Sequence, residues 1–236
     1  MFALFTTPGW FNGVDLVFDA IALLIALLIA GYSYRVYSIS SENKFKYFSV
    51  AFILISVAFI FKLITFGTLY FHPVRETAFQ MLLPLTQARV PIMDLFYRAG
   101  FFIEMASFLG AFLLIFLISQ KSRARLHKYH EVTQIGLFVY LVGLIAVIAT
   151  FKYYVFPLTM AVLVSLIVLN YYKNYLNSDK NSNSYLVVIA FLSILISQLF
   201  FIFVFAMNAV YFFGEAFLLI GFLLILYVYR RVTNKK

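Results

Sequence analysis

The chain contains no cysteine, which excludes disulfides, thiol catalysis and thiolate metal sites. Only three histidines occur. His127 and His130 share one basic stretch at i,i+3 and His72 stands alone, so neither a four-ligand structural zinc site nor a pair of haem ligands inside an apolar run can be assembled. Charge is scarce as well, at 11% of residues against about 25% in an average soluble domain. There is no G-x-S-x-G elbow, no zincin motif and no glycine loop that would cradle phosphate. No internal repeat is visible, which weighs against an inverted-repeat transporter. The opening stretch MFALFTTPGWFNGVD lacks the basic flank of a cleaved signal peptide, so the first apolar run is expected to be retained. No cofactor and no metal is expected on these grounds, and enzymatic activity has no signature to support it.

What remains is apolar. Hydrophobic residues make up 64% of 236, more than a soluble fold of that length can hide. A helix needs about 20 consecutive apolar residues to cross a bilayer, and the chain supplies such runs repeatedly. Seven spans are predicted, at 14–35, 47–71, 92–119, 132–151, 154–173, 184–207 and 210–229. Pro157 follows FKYY and lacks an amide donor, which divides 132–173 into two helices rather than one. The expectation is one polytopic domain over residues 1–236, an all-α seven-transmembrane-helix bundle; six spans form the rival reading.

The basic residues give this bundle a direction. Positive side chains crowd cytoplasmic loops, and thirteen of the eighteen lysines and arginines fall on one side. They are Arg35, Lys44 and Lys46, then Lys121, Arg123, Arg125 and Lys128, then Lys173 and Lys180, and finally Arg230, Arg231, Lys235 and Lys236. The N-terminus is thus expected outside and the C-terminus in the cytoplasm of a cell-membrane protein. Tyrosines such as Tyr32, Tyr34, Tyr153 and Tyr172 stand at the span ends, as an interfacial belt does. The net charge of +9 is therefore read as topology and lipid-headgroup contact, not as a nucleic-acid surface. The densest run, SRARLHKYH within loop 120–131, is also the candidate docking site for a cytoplasmic protein partner, through Arg123, Arg125 and Lys128.

Of the nine acids, Glu42, Glu131 and Asp179 belong to the inner loops, and the other six are placed on the opposite side. Asp15, Asp19, Glu76, Asp94, Glu104 and Glu215 all fall outside or in the outer half of a span. A charge at the centre of a bilayer costs at least about 2.5–3.5 kcal/mol, so it is expected to face the bundle interior with a partner. On span three, 100° per residue gathers Asp94, Tyr97, Arg98, Phe101, Glu104 and Met105 into an arc of about 120°. Asp94 and Arg98 can pair at i,i+4, which leaves Glu104 in need of a cation, with Lys62 as the best candidate. On span one, Asp15, Asp19, Ala22, Ala26, Ala30 and Ser33 form one stripe, acidic above and small below, the pattern of a close helix-packing seam. Ser193, Ser197, Gln198 and Asn208 add polar groups from span six. Against this, Asp94 suits a helix start after Pro91, and Lys62 and Arg98 have stems long enough to snorkel. Glu104, short and deep, has no such escape. The link 72–91, HPVRETAFQMLLPLTQARVP, is predicted to form a short amphipathic or re-entrant segment over the outer end.

The seven-span, N-outside topology resembles that of microbial rhodopsins and G-protein-coupled receptors. The likeness stops there: AVYFFGEAFLLIGFLLILYVY has no lysine for a retinal Schiff base, and LISQKSRAR lacks the acidic–arginine pair of the receptors. The leading expectation is a sensor or receptor-like module that binds a small or cationic ligand in an outward-facing polar cup. Asp19, Lys62, Arg98, Glu104 and Glu215 would line that cup, with signalling through the cytoplasmic partner. Two alternatives stay open: a transporter or channel for protons or small cations with Glu104 as carrier, and a structural subunit of a larger membrane complex. The lipid bilayer is the one partner required, and association into oligomers is compatible with every reading.

Overall fold

A computed structural model of the chain describes residues 8, 10–82, 92–120, 140, 142–145, 148, 154–177 and 181–233. These residues are helical apart from turns and short links, and no strand occurs among them. The helices are α1 (Val14–Ser40), α2 (Asn43–Tyr70), α3 (His72–Leu82), α4 (Ile92–Gln120), α5 (Val155–Asn177), α6 (Ser182–Ile202) and α7 (Val210–Thr233). All but α3 are long and apolar enough to cross a membrane, six in total among the described residues. A bilayer offers no water to the backbone, so each crossing segment satisfies its amides internally as a helix. The protein is a multi-pass helical membrane bundle. The sequence-expected span 132–151 lies outside the described residues except at 140, 142–145 and 148, which are helical.

Helix ends depart from the hydropathy boundaries in both directions. The first helix runs on to Ser40 because hydropathy falls at the interfacial tyrosines while the backbone continues. It stops at Ser41, which is left-handed at φ 55° and donates its amide to Tyr37 O. At 28 residues, α2 is about 42 Å long at 1.5 Å per residue, well beyond a hydrocarbon core of about 30 Å. The sixth helix is shorter than expected. It gives way at Phe203–Phe205 to a 3₁₀ turn, which no proline or glycine announces.

Six helices form a closed ring in which neighbours pack in the order α1, α2, α4, α5, α6, α7 and back to α1. Small residues and hydroxyls seal the seams. Ser33 Oγ donates to Phe45 O and Ser49 Oγ to Ala30 O, each at 2.9 Å, so the small stripe on α1 lies against α2. Between α6 and α7, Ser193 Oγ donates to Phe217 O at 2.8 Å. A Cβ at Gly221 would stand 2.5 Å from Ile194 Cγ1 and 3.0 Å from Ala190 O. Glycine is required there for the backbones to approach.

Side-chain contacts also give direction. The upper end is where α1, α4 and α7 begin and α2 ends. Phe48 meets Tyr229 and Lys62 meets Glu215, so α2 and α7 are antiparallel. Phe156 lies against Phe108, and Asn170 Nδ2 donates to Ser119 Oγ at 2.9 Å, so α4 and α5 run parallel. The main apolar core fills the ring below this end, with Ile29, Phe52, Ile55, Phe59, Phe112 and Phe222 almost wholly buried. A smaller aromatic cluster of Phe11, Phe201, Val204 and Tyr211 caps the upper end.

Candidate functional site

The site begins with Lys62, two turns below the top of α2. Three residues earlier, Phe59 packs edge-on against Phe108 at 5.2 Å. Following the antiparallel register upward brings Lys62 level with Glu104 on α4. The same reasoning places Gln198 level with Glu215, between the Ser193–Phe217 hydrogen bond and the close approach of Gly214 to Phe201. Four helices thus bring polar groups to one height, and α6 adds a fifth.

At that height Lys62 Nζ donates to Asp19 Oδ1 at 2.7 Å and to Glu215 Oε1 at 2.6 Å. Two aromatic faces flank the ammonium, Phe66 at 5.8 Å and Tyr211 at 5.9 Å from their centroids. Glu104 stands near enough to feel the charges of both Lys62 and Glu215. Asp19 is fully buried, and Glu215, Lys62 and Glu104 are 3%, 6% and 7% exposed. These are ion pairs in a low-dielectric interior, where electrostatic contacts are strong and unmet ones costly.

Several contacts are unmet. Asp19 Oδ2, Glu104 Oε2, Ser197 Oγ and Gln198 Oε1 are buried without a hydrogen-bond partner among the described residues. A buried polar atom in that condition costs about 1–3 kcal/mol. Charge is equally unbalanced: one ammonium faces the carboxyls of Asp19, Glu104 and Glu215. If all three are ionised, the group carries two uncompensated negative charges. With the acids ionised, Asp19 Oδ2, Glu104 Oε2 and Gln198 Oε1 are acceptors in need of donors, while the Ser197 hydroxyl can give as well as accept.

Aromatic packing closes the group above and below. Beneath it, Phe59 meets Phe222 at 5.9 Å and Phe52 meets Phe222 at 6.1 Å. Above it, Phe11 meets Phe212 at 5.3 Å and Phe201 meets Tyr211 at 5.5 Å. The upper layer is set by the turn before α1. Phe11 N–H donates to Pro8 O at 2.8 Å, and Gly13 takes φ 93°, which favours glycine. Phe11 is buried, while its neighbour Trp10 is 65% exposed.

The structure gathers Asp19, Lys62, Glu104 and Glu215 as the sequence predicts, but in a buried group, not along an open cup. It also redistributes the pairs. Lys62 is bonded to Asp19 and Glu215 rather than to Glu104. Arg98 is exposed and outside the group. It lies about 120° around α4 from Glu104, at the opposite edge of the predicted arc. The side chain of Asp94, and with it the expected Asp94–Arg98 pair, falls outside the described residues, as do Arg123, Arg125 and Lys128. Asp15 serves the fold: Oδ1 accepts from the amides of Gly13 and Leu16 at 2.8 and 2.9 Å, and Oδ2 accepts from Tyr70 Oη at 2.8 Å. Asn208 is exposed at the link into α7. In the link 72–91, α3 forms as an amphipathic segment. Its first residues are exposed, and His72 Nδ1 lies 3.3 Å from Glu76 Oε1 on its surface.

Tyr211 is the participant that sequence reasoning missed. Its position four residues before Glu215 puts both on one face of α7, and that spacing was the available signal. Among the described residues no three His, Asp or Glu side chains are arranged to hold a metal ion. No family model, curated protein or solved structure matches the chain.

Proposed function

We propose that the chain is a sensor or receptor-like membrane module whose buried carboxylate group binds a small cation and passes the change to its cytoplasmic face. The observation that carries this reading is the surplus of buried acceptors on Asp19 and Glu104 around a single ammonium. A cationic ligand supplies the missing donors and the missing charge together. Lys62 then acts as resident counter-ion, holding α1 and α7 in one arrangement when the ligand is absent. Arg98 is dropped from the ligand-binding set because it is exposed.

The reading includes seven crossings, with the upper end outside the cell. Since α4 and α5 run parallel, residue 120 and residue 155 stand toward opposite ends of the bundle, and 121–154 has to cover that distance. Val142 and Ile145 pack on the core, which supports a crossing helix in that stretch. An odd number of crossings also agrees with the basic residues: Lys44, Lys46, Lys173 and Arg230 are exposed toward the lower end. Loop 120–131, with Arg123, Arg125 and Lys128, is the surface offered to a cytoplasmic partner.

Transport is the second reading, and Glu104 Oε2, buried and unpartnered, is what favours it. The close-packed rings of Phe52, Phe59 and Phe222 directly below favour binding over passage, because a carrier needs a wet route onward.

Hydrogen–deuterium exchange on the protein in lipid nanodiscs, with and without a panel of small cations, tests the proposal. A responding cation should change exchange at the lower helix ends in wild type and not in Glu104→Gln. No change with any cation, or sustained cation flux in proteoliposomes, contradicts it.

A further inference from the structure

We infer that the cation is a small primary ammonium compound, held by Asp19 Oδ2 and Glu104 Oε2 beside Lys62; the inference rests on the cation-binding reading above. Lys62 itself shows what this enclosure accepts. Its –NH₃⁺ group lies 2.7 and 2.6 Å from two carboxylate oxygens, with two aromatic rings close by. That is the recognition chemistry of an organic ammonium: short charge-assisted hydrogen bonds joined to cation–π attraction.

The oxygens left over repeat the same chemistry. Asp19 Oδ2 and Glu104 Oε2 are buried and unpartnered, and Gln198 Oε1 and Ser197 Oγ are unpartnered at the same level of α6. An ammonium brings three donors and no acceptor, which complements the two carboxylate oxygens and the Gln198 amide oxygen. A metal ion fits poorly. Hard cations such as calcium take six to eight oxygens, no three acidic or histidine groups among the described residues are arranged for one, and a divalent charge would stand against the Lys62 ammonium. The aromatic layers above and below suit an apolar body on the ligand better than a hydration shell.

The test is equilibrium binding of radiolabelled methylammonium to the full chain in lipid nanodiscs. Binding should be saturable, and Glu104→Gln should weaken it about tenfold or more, the loss of one charge-assisted contact. Glu104→Asp, which keeps the charge and shortens the reach, should fall between the two and serves if the glutamine variant does not fold. In wild type, tetramethylammonium, which has charge but no N–H, should fail to compete. If tetramethylammonium or sodium competes as well as unlabelled methylammonium, the ammonium assignment is wrong while the cation site stands. If methylammonium binds wild type and the Glu104 variants alike, the location is wrong. If nothing saturates in wild type, this inference and the reading beneath it both fall.

Discussion

The ammonium of Lys62 lies 2.6 Å from Glu215 Oε1, a bond between α2 and α7 across 153 positions of chain. The same nitrogen holds Asp19 on α1. One cation therefore fastens three helices at a single height, and its loss would leave two buried carboxylates facing each other.

Lys62→Met is expected to destabilise the protein by about 3–5 kcal/mol, the usual consequence of removing one partner of a buried ion pair. Neutralising the acids as well, in Asp19→Asn/Lys62→Met/Glu215→Gln, should recover most of that. Thermal unfolding of the purified variants reads both. A single mutant as stable as wild type would mean that the three charges do not hold the helices.

Gly221 and Gly67 should respond oppositely to alanine. At Gly221 the new Cβ meets Ile194 and the carbonyl of Ala190, whereas at Gly67 nothing lies within 4 Å. Gly221→Ala should destabilise by about 1–3 kcal/mol through overpacking. Gly67→Ala should be neutral or stabilising by up to about 1 kcal/mol, from helix propensity. Equal effects at both positions would contradict the tight α6–α7 seam.

Arg98→Gln should change stability by less than about 1 kcal/mol, as expected of an exposed charge, and leave cation binding as in wild type. A loss of binding comparable to Glu104→Gln would put Arg98 back in the site.

The absence of cysteine makes topology directly measurable, since a single introduced thiol has no background. Thr77→Cys and Tyr154→Cys should react with an impermeant maleimide from outside intact cells, and Lys128→Cys and Lys173→Cys only after permeabilisation. Lys128→Cys and Tyr154→Cys reacting from the same side would contradict a crossing between 121 and 154.

Much of the bundle was legible in the sequence because an apolar run and its helical face are local properties. The stripe Asp15–Asp19–Ala22–Ala26–Ala30–Ser33 is buried as its periodicity implies. Glu104 is buried because it is too short to escape. The partners were less legible. Periodicity gives the face of a helix and leaves its height against a distant neighbour open, so Lys62 was paired with Glu104 and its bonds to Asp19 and Glu215 were not foreseen. The choice of Asp19 and Glu215 depends on packing contacts such as Ser49–Ala30 and Phe52–Phe222. Arg98 and Glu104 stand at opposite edges of one predicted arc, and the arc alone did not tell the exposed residue from the buried one. The aromatic cap was missed because Phe11 reaches it through a turn at Gly13 rather than through a helix.

The most direct measurement is a high-resolution map of the protein purified in lipid and supplied with methylammonium, read at Glu104 Oε2. The account predicts non-protein density within about 2.7–3.2 Å of that oxygen, shared with Asp19 Oδ2 and distinct from Lys62. A dry site in which Glu104 bonds Lys62 directly, with no further density, would contradict it and make these charges part of the architecture alone.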